Sequence, residues 1–155
     1  MRRKHRQIKN YPPDLIYQNI LATKFINHLM KNGKKSMAEK IFYQAMEIIK
    51  NQTKGNPINI FETAISNVAP SLEVKTKRVG GANYQIPVPV DEYRKITLAM
   101  RWILNAVRSK KGQITAQKLA DELLAASRNE GAAIKKKLDT HKMAEANRAF
   151  AHFSW

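Results

Sequence analysis

The chain contains no cysteine. That excludes disulfides and every metal or redox site built on thiolates. Acids are scarce: 12 Asp+Glu stand against 28 Lys+Arg, a formal net charge of +16 over 155 residues. No apolar run approaches the ~18 residues that span a bilayer. The first ten residues are basic, but they lead into no apolar stretch of a secretory signal and carry no serines of a transit peptide. The chain is therefore expected to stay in the compartment where it is made. Glycine and proline are few, six each, so each one is informative as punctuation.

What is present is a chain 43% hydrophobic, enough for a packed core and too apolar for wholesale disorder. So unbalanced a charge is tolerated mainly when a polyanion neutralises it. Nucleic acid is the first candidate and an anionic membrane the second. A basic amphipathic helix on a membrane needs exposed bulky apolar residues, and here the core requires them, so no membrane partner is expected. Lysine outnumbers arginine, and isoleucine and asparagine are frequent. Such usage fits an AT-rich genome, an organelle's or a reduced bacterium's.

Residues 1–10 form a basic arm, Arg2, Arg3, Lys4, Arg6 and Lys9 with no acid, expected to be flexible alone and to order on a partner. Residues 11–155 read as one helical domain. Tyr11-Pro12-Pro13 closes the arm, and Asp14 is placed to cap a first helix over 15–30, with Leu21, Phe25 and Leu29 on its apolar face. Gly33 ends it. Ser36-Met37-Ala38-Glu39 has the pattern of a capping box for a second helix with Ala38, Ile41, Phe42, Ala45, Ile48 and Ile49 inward. A third follows Gly55 and Pro57, with Phe61, Ala64, Ile65 and Val68, and stops at Pro70.

The period then changes from helical to two. Leu72, Val74 and Thr76 alternate with Glu73, Lys75 and Lys77, and after Gly80-Gly81 so do Tyr84, Ile86, Val88 and Val90. This predicts a β-hairpin over about 72–90. Pro87 and Pro89 point their missing N–H groups at one edge, which must be unpaired, so a two-stranded ribbon is the simplest solution. Helix resumes near Asp91, with Ile96, Met100, Ile103 and Val107 inward, and breaks at Gly112. Another helix carries Ala116, Leu119, Ala120, Leu123 and Leu124 to near Gly131, and a last runs from Ala132 to about Ala149. The expected fold is mainly α, a bundle-like domain of about six helices with a protruding two-stranded hairpin between helices three and four.

Charge is concentrated. No acid occurs between Tyr93 and Ala120, while Arg94, Arg101 and Arg108 fall seven apart, joined by Lys95, Lys110, Lys111 and Lys118. On one helix the three arginines form a nearly straight row, drifting about 20° per step, and each guanidinium can fork onto phosphate oxygens. The plain alternative is a solvated helix face, which a face of both signs would fit better. The hairpin carries Lys75, Lys77, Arg78 and Tyr84 toward its tip; the tyrosine can stack on a base or pack across the ribbon. Lys34 and Lys35 stand near a helix N-terminus, where phosphate is favoured.

Catalytic readings fail. Gly33-Lys34-Lys35-Ser36 looks like the end of a phosphate-binding loop, but His28 replaces its first glycine and no strand precedes it. Val79-Gly80-Gly81 is too short for a dinucleotide fingerprint. His141 and Glu145 share a helical spacing without a second histidine to complete a metal site. No enzymatic activity, cofactor or metal is expected.

Three stretches closely resemble one family. They are Gly33 to Ser36 running into Ile41-Phe42-Tyr43-Gln44-Ala45; the hairpin from Glu73 to Lys75 and from Arg78 to Val88; and His141 through Phe153. The similarity covers nearly the whole chain, and the family is that of small ribosomal subunit protein seven, in its bacterial and organellar form. The resemblance implies a helical protein with a β-ribbon arm, a structural constituent of the small subunit. It implies binding to the 3′ major (head) domain of small-subunit rRNA, nucleation of head assembly, and a place near the exit-site tRNA and the mRNA exit path, beside proteins of the head and platform. By the same resemblance RNA contacts fall on the N-terminal arm, Lys34 and Lys35, Lys75, Lys77 and Arg78, and Arg94, Arg101, Arg108, Lys110 and Lys111. Tyr84, Lys142 and Arg148 complete the RNA-binding set. The C-terminal aromatics Phe150, Phe153 and Trp155 serve either a protein interface or the core. Asp91 and Glu92 stand where relatives are often more basic, an acidic start that suits a helix dipole. No homo-oligomer is expected, and the location is a ribosome in bacterial cytoplasm or in an organelle. The alternative from another class is a non-ribosomal architectural nucleic-acid-binding protein.

Overall fold

A computed structural model of the chain describes residues 11–153; the basic arm and Ser154-Trp155 lie outside them. Six α-helices are described: α1 (Ile20–Leu29), α2 (Lys35–Thr53), α3 (Pro57–Val68), α4 (Glu92–Ser109), α5 (Thr115–Ser127) and α6 (Ala132–Ala146). Strands β1 (Leu72–Val79) and β2 (Ala82–Pro89) form an antiparallel hairpin between α3 and α4, and a 3₁₀ helix, Arg148–Phe153, ends the described chain. This is the mainly helical architecture with one inserted ribbon that the sequence pattern predicts.

The core gathers buried side chains from all six helices. At one end Phe25, Phe42 and Phe61 meet with ring centroids 5.3 to 5.8 Å apart, two of the three pairs edge to face, the arrangement the aromatic quadrupole favours. Asn67 on α3 closes the other side: its amide donates to Ala126 O (3.1 Å) and Ser127 O (3.0 Å), satisfying carbonyls at the end of α5. No helix among the described residues is long and apolar enough to cross a membrane.

Helix starts differ from expectation where a competing partner intervenes. α1 begins at Ile20, and Leu15 is left 91% exposed. Asp14 caps a turn instead: one carboxylate oxygen accepts Ile16 N–H (3.2 Å) and Tyr17 N–H (3.1 Å), the other the Tyr43 hydroxyl (2.7 Å). Asn19 is the cap of α1, accepting from Leu21 and Ala22 N–H while its amide donates to Glu62 on α3. The Ser36 capping box does not form. Ser36 lies inside α2, Lys34 holds the cap position without a side-chain bond, and Glu39 pairs with Lys35 at 3.5 Å. Lysine at the next position offers the glutamate a charge, which competes with the reach back to a backbone N–H. Gly33 serves the turn into α2 and not the end of α1, which stops at Leu29.

The hairpin turn is Gly80-Gly81, with φ of 57° and 94°; both values lie where only glycine is unstrained, as a primed two-residue turn requires. The register pairs Glu73 with Val88, Lys75 with Ile86 and Lys77 with Tyr84. That face, and not the one bearing Leu72 and Val74, packs inward: Glu73 and Ile86 are both buried. β1 packs on α6, and β2 on the 3₁₀ helix. The last helix is also shorter than predicted, ending at Ala146. From Arg148 the tighter helix takes over, eclipsing residues three apart, and Phe150 and Phe153 both reach Tyr84 at 5.2 and 5.3 Å.

Candidate nucleic-acid interface

The arginine row is real. Arg94, Arg101 and Arg108 are all exposed on α4, about 10 Å apart along the axis. Their surroundings differ. Arg94 Nε lies 2.8 and 3.0 Å from the two carboxylate oxygens of Glu73, and Lys75 approaches the same group at 3.1 Å. Burial pushes the Glu73 carboxyl up, but the two cations outweigh it and hold it below the ordinary 4.5. Arg94 is thus a strut between α4 and the ribbon. Arg101 makes no ion pair or hydrogen bond among the described residues. Arg108 reaches the carbonyl of Leu29 at 3.5 Å, at the C-terminus of α1, where the helix dipole favours a cation.

The strut predicts a pH effect. Because the folded carboxyl titrates below its unfolded value, its stabilisation is complete above pH 4.5 and is lost as pH falls through the folded value. Glu73→Gln is expected to flatten the acid limb of stability against pH. Urea midpoints taken between about pH 3 and pH 6 check this; an unchanged acid limb would remove Glu73 as its source.

Lys110 is committed elsewhere. It caps the end of α4, and its ammonium lies 2.6 Å from Oε2 of Glu122, a carboxylate only 1% exposed. Lys111 is exposed. On the ribbon Lys75 and Arg78 are exposed, whereas Lys77 is half-buried and donates to the carbonyl of Phe153 at 3.2 Å. Tyr84 is half-buried, and its ring packs against Phe150 and Phe153 of the 3₁₀ helix. These two C-terminal aromatics pack within the chain; Trp155 lies outside the described residues. Lys142 and Arg148 are exposed on α6 and the 3₁₀ helix. Arg2, Arg3, Lys4, Arg6 and Lys9 lie outside the described residues.

Lys34 and Lys35 are exposed at the α2 N-terminus, which no side chain caps. With Lys31 and Arg108, Lys34 borders a largely apolar groove of about 460 Å³ between α1, α2 and α4, containing Met37, itself 55% exposed. The histidine singled out for its spacing has a structural partner: His141 Nε2 accepts the N–H of Ser71 at 3.2 Å and ties α6 to the start of the ribbon. Two neighbours of the arginine row escaped the sequence reading: Lys24, whose ammonium lies 4.9 Å from the centroid of the Tyr93 ring, and His28, which feels the charge of Arg101. Attention to charge runs passes over isolated residues. Helical spacing applied to Lys24, Asn27 and His28 would have found a polar face of α1; that it turns toward α4 is a property of the tertiary fold.

The sequence has counterparts among known proteins. Residues 1–148 match the family described as ribosomal protein S7p/S5e. Over its full length the chain is 54% identical to the whole of small ribosomal subunit protein uS7 of Thermosipho africanus. It is 52% identical to that of Thermotoga maritima, again over the full length of both. A third relative, from Pelotomaculum thermopropionicum, is 56% identical over 143 residues, 92% of each chain.

Proposed function

The chain belongs to the ribosomal protein S7p/S5e family, and on that premise we propose that it is a structural constituent of the small ribosomal subunit that works by binding rRNA. The single observation that carries the reading is full-length identity above one half to proteins named for that subunit. The exposed one-sign row on α4 supports it physically, because repeated phosphate contacts are the main source of affinity for a nucleic acid. The relatives named above are bacterial, which favours a ribosome in bacterial cytoplasm over an organellar one.

The finer reading is binding to the 3′ major (head) domain, nucleating its assembly near the exit-site tRNA and the mRNA path, against neighbouring head and platform proteins. Contacts run through Lys34, Lys35, Lys75, Arg78, Arg101, Arg108, Lys111, Lys142 and Arg148, with the basic arm adding its own. Arg94 and Lys110 act first as internal struts. Phosphate contacts alone favour any nucleic acid, so recognition must come from RNA shape, 2′-hydroxyls and unpaired bases.

Filter binding to a head-domain rRNA fragment, with duplex DNA and an unrelated structured RNA as competitors, tests this. Nanomolar binding that survives both competitors is expected. Displacement by DNA at comparable concentration would instead favour the architectural DNA-binding alternative.

A further inference from the structure

Between α1 and α4 lies a cleft of about 190 Å³, below the roughly 300 Å³ at which pockets take drug-sized ligands and suited to one flat ring system. Ile96 and Met100 supply apolar lining, and Tyr93, 44% exposed, supplies an aromatic ring. Lys24, which also lines the cleft, has its ammonium 4.9 Å from the centroid of that ring and adds a positive charge. Asn27 and His28 also line the cleft, and neither side chain makes a hydrogen bond among the described residues, although those of Asn19 and Thr23 on the same stretch are bonded. Burial first, then the charge of Arg101, lowers the pKa of His28, so near pH 7 its ring is neutral, with one donor and one acceptor nitrogen. Among the described residues no acid lines the cleft.

An amide with free donor and acceptor, a neutral imidazole, an aromatic face and nearby cations are the groups that read a single exposed base. We propose that this cleft is a nucleobase subsite. An unpaired base of the bound RNA stacks on Tyr93, meets Asn27 and His28 at its edge, and has its phosphate held by Lys24 and Arg101. The inference rests on the rRNA reading and deepens it by naming where sequence recognition enters. Tyr93 and Arg101 lie eight residues apart on α4, two helical steps of four, so base and phosphate contacts share one face.

The test uses the full chain, the head-domain fragment and the same two competitors. Asn27→Ala and Tyr93→Ala are each expected to weaken the specific RNA about tenfold or more. Binding to the unrelated RNA and the salt dependence should stay unchanged, and Tyr93→Phe should retain the wild-type preference. Arg101→Ala should behave oppositely, lowering all affinities together and reducing the salt slope by about one. Should Asn27→Ala and Tyr93→Ala leave the preference intact, or weaken specific and non-specific binding equally, the subsite is wrong while the rRNA reading stands. A wild-type chain with no preference overturns both.

Discussion

Raising monovalent salt from 50 to 200 mM is expected to weaken RNA binding by about 10⁴-fold. Each neutralised phosphate contributes a slope of about −0.7 to −0.9 in log affinity against log salt, and roughly eight contacts give about −6 to −7. The structure identifies which cations are available. Among the described residues Arg101 has no ion pair or hydrogen bond and Arg108 touches only a carbonyl, while Arg78, Lys111, Lys142 and Arg148 are exposed. Lys34 and Lys35 stand at an uncapped helix N-terminus, Lys35 in an exposed pair with Glu39 at 3.5 Å. Arg94 and Lys110 already face carboxylates within 3 Å, so each should add less than a full unit. Equilibrium binding at four or five salt concentrations measures the slope; a value shallower than about −3 would remove phosphate neutralisation as the main source of affinity.

Glu122→Ala is expected to cost about 3 kcal/mol of stability, near the lower end for truncating one partner of a buried ion pair. Glu122 projects from α5 into the junction of three elements. One oxygen faces the Lys110 ammonium at the end of α4, and the other accepts the N–H of Ala133 in the first turn of α6 at 2.9 Å. No side chain fills the α6 cap position, because that residue is Gly131, so Glu122 does the capping from another helix. The partial exposure of Lys110 keeps the estimate low, since its charge can turn to solvent. Gly131 reports on the same junction. Its φ is +96°, and a Cβ there would lie 3.0 Å from Glu122 Oε1 and 3.2 Å from Ala125 Cβ. Gly131→Ala should cost about 1–2 kcal/mol, and less in the Glu122→Ala background, where the nearest atom is gone. Urea unfolding of the two single variants and the double variant measures both. A loss under about 1 kcal/mol for Glu122→Ala would mean that Glu122 does not hold this junction together.

Much of this was legible in the chain. Apolar repeats at Phe42, Ala45 and Ile49 and at Met100, Ile103 and Val107 report helices, because helical periodicity is written directly in residue spacing. Gly80-Gly81 and the paired Pro87 and Pro89 report a two-stranded ribbon, because backbone conformation and a missing N–H are properties of the residue itself. Local competition was harder to read. Asp14 and Asn19 are both good caps, and Ser36 with Glu39 has the pattern of a box, yet bonds to Tyr43 and Glu62 and a neighbouring Lys35 decided among them.

The sequence by itself determined the helical fold with its ribbon, the excess positive charge and its concentration on α4. Only the tertiary structure decided which charges remain available. Glu73 and Arg94 lie 21 residues apart, and Lys110, which follows α4, meets Glu122 of α5. Lys24, Asn27 and His28 become a cleft only when Tyr93 is set against them. Spacing along a chain encodes which face of its own element a residue occupies, whereas a charge or an open hydrogen bond is settled by what the fold brings within a few ångströms, and that distance is not a local property.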